Sequence, residues 1–140
     1  MYFIGLRDGS PISVGRMGGF KASAELTANT GMLIDIDASG RLVAYDGTAA
    51  PFGVVSSSHD GGKAKKDEEV TVMQMNSDIY LDAVVSGTDE AIEALKDGAY
   101  IKATATGVVA GETSAFCRIV STNGAKKAGD KVLVRFEYKA

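Results

Sequence analysis

The chain has one cysteine, one histidine, two prolines and no tryptophan in 140 residues. Each scarcity removes a class of explanation. A lone Cys117 forbids an internal disulfide and a two-cysteine metal site. A lone His59 forbids an HExxH zinc motif and any histidine pair. So few prolines exclude collagen-like and proline-rich chains. No apolar run approaches the roughly 20 residues of a membrane helix. The apolar start, Tyr2-Phe3-Ile4-Gly5-Leu6, is interrupted by Arg7 and Asp8 and is too short for a secretion signal. Positive charge is not in excess either. Lys and Arg number 15 against 18 Asp and Glu, a net charge of −3, so the chain lacks a basic footprint for nucleic acid. A soluble, disulfide-free protein made inside the cell is expected, with no cofactor, no metal, no membrane and no nucleic acid.

Glycine, by contrast, is abundant, with 17 residues where an average chain of this length has about 10. Apolar residues at 45% and charged residues at 24% are ordinary for a folded domain. The length suits one domain. Gly5, Gly9, Gly15, Gly18 and Gly19 interrupt residues 1–20, yet Tyr2, Phe3, Ile4, Leu6, Ile12 and Val14 are too apolar for a solvated linker. This segment reads as an extended arm seeking a surface, or as an edge strand folded on its own domain. The division expected is 1–20 arm and 21–140 a single β-rich domain.

From Met32 the pattern is strand-like. Residues 32–37 and 41–46 flank Ala38-Ser39-Gly40 as a β-hairpin. Pro51–Ser56 makes a third strand, with proline at its start where no ladder donor is lost. Residues 57–68 read as a polar loop. Glu69–Asn76 alternates with apolar groups on both faces, which predicts a strand covered on both sides. Ile79–Val85, residues 100–106, Phe116–Val120 and Lys131–Tyr138 follow as strands. One helix is expected over about 89–97, with Thr88 as N-cap, Asp89 and Glu90 in the first turn and Gly98 at the end. Seven to nine short strands between glycine turns predict an all-β fold, a small Gly-rich barrel or sandwich with one short helix.

Chemistry-bearing motifs are few. Asp35, Asp37, Ser39, Gly40 and Asp46 partly match a calcium loop, but the flanks read as strands and a hairpin turn explains the same residues. Lys63, Lys65 and Lys66 lie beside Asp67, Glu68 and Glu69, which neutralise them. His59-Asp60 next to Ser56, Ser57 and Ser58 offers triad residue types without a G-x-S-x-G elbow. Cys117 lies in an apolar strand, the setting of a buried inert thiol. Met73, Met75 and the tyrosines read as packing groups. No enzyme is expected from this set. A binding or building role is.

The stretch GMLIDIDASGRLVAYDGTAAPFGVV resembles the opening of phage capsid decoration (cement) proteins. The matching residues are Gly31, Asp37, Gly40, Val43, Ala50, Pro51, Gly53 and Val54. EALKDGAYIKATATGVV is similar to that family's helix-glycine-strand element, and AGDKVLVRF to its closing strand, through Gly129, Asp130, Val132 and Val134. The resemblance implies a virion protein on the capsid exterior that binds the major capsid protein, has no active site and works as a homo-oligomer, with a trimer among the compatible forms. Tyr2, Phe3, Ile4, Leu6, Ile12 and Val14 are then the candidate capsid or subunit interface, adding a strand to a neighbour. A ligand-binding β-barrel and a tail or connector component are the competing readings.

Overall fold

The computed structural model describes residues 2–6, 17–57 and 60–139. They form an all-β protein with one short helix. In chain order the strands are β1 (Tyr2–Leu6), β2 (Met17–Lys21), β3 (Leu26–Thr27), β4 (Leu33–Ile36), β5 (Leu42–Ala44), β6 (Gly53–Val55), β7 (Lys63–Ala64), β8 (Glu69–Gln74), β9 (Ile79–Ser86), β10 (Lys102–Ala103), β11 (Val108–Val109), β12 (Cys117–Ser121) and β13 (Lys131–Phe136). Helix α1 (Asp89–Glu93) lies between β9 and β10. Strands outnumber the seven to nine expected. The glycine-rich start contributes β1 and β2, and the loop at 57–68 contains β7, which pairs with β3 through two residues. Runs that short carry no periodicity to read.

The C-terminal sheet runs β10-β11-β9-β13-β12. Residues just before β10 then pair with the far edge of β12. Ile101 N–H donates to Cys117 O at 2.9 Å, Ile119 N–H to Ala99 O at 2.8 Å and Gly98 N–H to Ile119 O at 2.7 Å. The ring of strands closes into a small barrel, which removes two exposed edges. Its inward side chains alternate along each strand as a pleat demands. Ile79, Leu81, Ala83 and Val85 come from β9, Cys117 and Ile119 from β12, and Val132, Val134 and Phe136 from β13. All are buried, together with Ile101, Ala103 and Val108. Fully burying a Leu, Ile or Val side chain contributes about 1.5–3 kcal/mol.

The second sheet runs β2-β8-β6-β4-β5. It bends back on itself where Ala22, just after β2, bridges Leu42 of β5. Both of its faces are covered. Leu33, Val54 and Met73 are cross-strand partners in one row, packed into the core of the first barrel. Ile34, Val55 and Val72 lie on the opposite face in a second core with Leu26, Ala64 and Val70. This explains why adjacent residues such as Leu33-Ile34 and Val54-Val55 are both buried. Gly53 is needed where it stands, because a Cβ there would meet Met73 O and Val72 Cγ1 at 2.5 Å. Leu33 N–H also donates to Ala105 O at 2.8 Å, tying this sheet to the barrel.

The helix starts as expected, with the Thr88 side chain accepting from Ala91 N–H, and buries Ile92. It stops at Glu93 rather than near 97. Ala94 closes it, and the chain must then leave the helix so that Gly98 and Ala99 can pair with Ile119. Gly98 takes φ +85° to do so. Among the described residues no helix is long and apolar enough to cross a membrane.

Candidate interaction surface

β9 organises the surface most suited to partners. One of its edges is taken by β13. The other edge is divided between two strands. β1 pairs antiparallel with its first half, with Tyr2 opposite Asp82 and Leu6 opposite Ile79. β11 pairs parallel with its end, with Val108 opposite Val85. Tyr2, Phe3, Ile4 and Leu6 therefore belong to a strand held by the chain's own barrel, with a register irregularity between Phe3 and Gly5. Ile12 and Val14 lie outside the described residues. β2, at the other end of the glycine-rich segment, spans Met17–Lys21 and pairs with β8. The segment is thus anchored at two places on the same chain, one on each sheet.

The outward face of β13 and β12 carries the densest set of charged groups. Arg118 and Arg135 are directly opposite each other. Glu137 Oε2 lies 3.6 Å from Arg118 Nη1 and forms an ion pair with Arg135 Nη2. Arg118 Nε–H donates to Gly98 O at 3.3 Å. Next to this cluster lies a cleft of about 360 Å³, lined by Asp97, Gly98, Arg118, Ile119, Val120 and Arg135. Asp97 Oδ1 accepts from Thr122 N–H at 2.9 Å, which fixes that wall. At the chain's end the Lys139 ammonium sits 5.8 Å from the Tyr100 ring centre. Tyr138 is 65% exposed, with its ring tilted against Phe116. Toward β9, Lys131 pairs with Asp82 at 3.7 Å, beside an exposed Val84. The arginine cluster was not singled out by sequence reasoning. Its only signal was a strand, 131–138, whose outward positions are charged except for Leu133.

The other candidate residues hold structural posts. Asp37 Oδ1 accepts from Ser39 N–H, Ser39 Oγ–H and Arg41 N–H, which pins the β4–β5 turn. These bonds hold its carboxyl below the usual range, the Ser39 hydroxyl first among the causes. Asp46 is lowered in the same way by Thr48, through its N–H and then its hydroxyl. Asp35 is raised, chiefly by burial, although Phe52 N–H donates to it. Two of the three acids of the calcium-like pattern are thus occupied in hairpin and loop turns. Among the described residues no three His, Cys, Asp or Glu side chains gather to hold a metal.

Lys63 pairs with Glu25 at 3.9 Å, on an exposed site. Ser56 Oγ–H donates to Thr71 O at 3.1 Å, while Ser58 and His59 lie outside the described residues. Cys117 is buried among apolar barrel residues, and burial pushes its thiol up to about 12. A ligand-binding barrel calls for internal space. Here the inward positions are filled by Ile79, Leu81, Ile101, Ile119 and Val134. A smaller surface cleft of about 250 Å³ lies between the two sheets, lined in part by Met32, Leu33 and Tyr45.

Comparison with family models and with curated proteins returned no match.

Proposed function

We propose that this chain is a non-enzymatic structural subunit of a phage particle, a decoration protein that binds the outside of an assembled head and ties neighbouring capsid subunits together. The observation that carries this reading is where the residues of the resemblance fall. Gly31, at φ +86°, leads into β4, and Asp37 and Gly40 form the β4–β5 turn. Pro51 lies just before β6, and Gly53 pairs with Gln74 of β8. Gly129, at φ +96°, and Asp130, which accepts from Lys126 and Lys127 N–H, launch β13. The residues of the resemblance thus fall at turns and strand starts of both sheets rather than in one loop, which supports the reading. The N-terminal strand adds a second support. β1 pairs with β9 on one side and has no partner strand on its other side among the described residues, and strand addition is a common mode of peptide recognition. Many copies on one lattice gain avidity from weak individual contacts.

The test is co-sedimentation of the purified protein with undecorated, expanded heads, with the mass of the free protein measured alongside. Saturable binding at a stoichiometry matching lattice positions is the expected result. A chain lacking residues 1–16, which keeps β2, should remain folded by circular dichroism and lose head binding. Absence of co-sedimentation by the intact chain would overturn the decoration reading, and undiminished binding by the shortened chain would remove the arm from it.

A further inference from the structure

Of the chain's three asparagines, Asn29, Asn76 and Asn123, only Asn123 is followed by glycine. Thr122, Asn123, Gly124 and Ala125 form a β-turn after β12, closed by Ala125 N–H donating to Thr122 O at 2.9 Å. Asn123 takes φ 51° and Gly124 φ 70°, left-handed values that asparagine and glycine tolerate best. Both residues are exposed. The Asn123 side chain is already engaged by a neighbour. Ser121 Oγ–H donates to Asn123 Oδ1 at 3.0 Å, and Ser121 Oγ accepts from Asn123 N–H at 3.2 Å. Gly124 is open. Nothing lies within 4 Å of where a Cβ on it would stand, and its N–H makes no hydrogen bond among the described residues.

We propose that Asn123 is a deamidation site, an amide that this chain converts to aspartate and isoaspartate without an enzyme. The Gly124 nitrogen gives its proton to hydroxide, and its electron pair forms a bond to Asn123 Cγ. The negative charge that develops on Oδ1 receives the Ser121 Oγ–H bond, a donor already in place. The Cγ–Nδ2 bond then breaks, and ammonia leaves with a proton from water, which regenerates the hydroxide. Water opens the five-membered imide at either carbonyl. One opening gives aspartate. The other gives isoaspartate, with one more carbon in the main chain. Glycine matters because a side chain on the attacking residue crowds the ring. Asn29 and Asn76 precede Thr30 and Ser77, and Asn76 Oδ1 is held by Asp78 N–H at 2.9 Å. Asp46-Gly47 and Asp97-Gly98 share the glycine, but a carboxylate is a weaker electrophile than an amide, and their Oδ1 atoms are held by Thr48 and Thr122. The product carries one negative charge beyond the chain's −3, in the stretch that leads β12 into β13. The chemistry is independent of the capsid reading.

The experiment is incubation of the intact, folded protein at pH 8, followed by ion-exchange separation and peptide mapping by mass. Isoaspartate is detected by enzymatic methyl transfer. A more acidic species should accumulate. Its mass gain, that of an amide turned into an acid, should map to the peptide holding residue 123, with part of the product as isoaspartate. The species should be absent from Asn123→Gln. In Ser121→Ala its rate of formation should fall by about twofold to tenfold, the worth of one hydrogen bond to the developing charge. No acidic species from the wild-type protein, or a mass gain that maps only to other residues, overturns the proposal. An unchanged rate in Ser121→Ala overturns the part given to Ser121.

Discussion

Asp35 shows how one side chain makes the fold sensitive to pH. It lies on β4, and burial raises its pKa, aided by the charge of Asp46, while the bond from Phe52 N–H at 3.3 Å opposes the shift. A carboxyl whose folded pKa lies above its unfolded value costs stability while ionised, and that cost is released as pH falls through the folded pKa. Asp35→Asn keeps an acceptor for Phe52 and removes the charge. It should raise Tm at pH 7, and the gain should shrink as pH falls through the raised folded pKa of Asp35, where the wild-type carboxyl takes up a proton. Equal Tm values at pH 7 would show that burial at this site has no cost. Cys117 gives the complementary case. With its thiol pushed up to about 12 inside the barrel, it is protonated at neutral pH. Ellman's reagent at pH 8 should find no reactive thiol in the native protein and one in denaturant. Rapid labelling of the native state would place the thiol in an open site instead.

At the scale of elements, residue patterning and structure part company in an instructive way. The β4–β5 hairpin and β13 were legible because turn chemistry and alternation agree. Asp37 and Gly40 make the turn, and Val132, Val134 and Phe136 share one buried face. β1 and β2 were legible only as one of two readings, an edge strand folded on its own domain, because their glycines carry no side-chain period to fix bounds or partners. Their pairing depends on strands far later in the chain, namely β9 and β8. The arginine cluster escaped for the same reason: Arg118 and Arg135 become neighbours only through strand pairing. Helix α1 was legible at its start, where the cap is local, and not at its end, where β12 draws the chain away. Its cap can be tested. Thr88 bonds Ala91 N–H at 3.2 Å, and the five-residue helix sets the buried Ile92. Thr88→Ala should cost about 1 kcal/mol in urea denaturation with an unchanged m-value. A loss below about 0.3 kcal/mol would mean that packing of Ile92 alone holds the helix.

The whole molecule is built on a shared layer. The β2-β8-β6-β4-β5 sheet gives one face to each core, so neither core is complete without it. Leu33 and Ile34 make this concrete. They are consecutive on β4, each about 1% exposed, and they point into different cores. If the two cores were independent, truncating Leu33 would weaken the barrel and leave the second core intact, and truncating Ile34 would do the reverse. A shared sheet links them, since loss of either face releases the strands that carry the other. Leu33→Ala and Ile34→Ala should each cost about 2–5 kcal/mol. Both should lower the midpoint of one calorimetric transition whose enthalpy matches its van't Hoff value. Two resolved transitions, with each substitution moving a different one, would show that the cores unfold separately and that the sheet between them is a boundary. A single transition moved by both would mean that a force on either face of the molecule meets the stability of the whole.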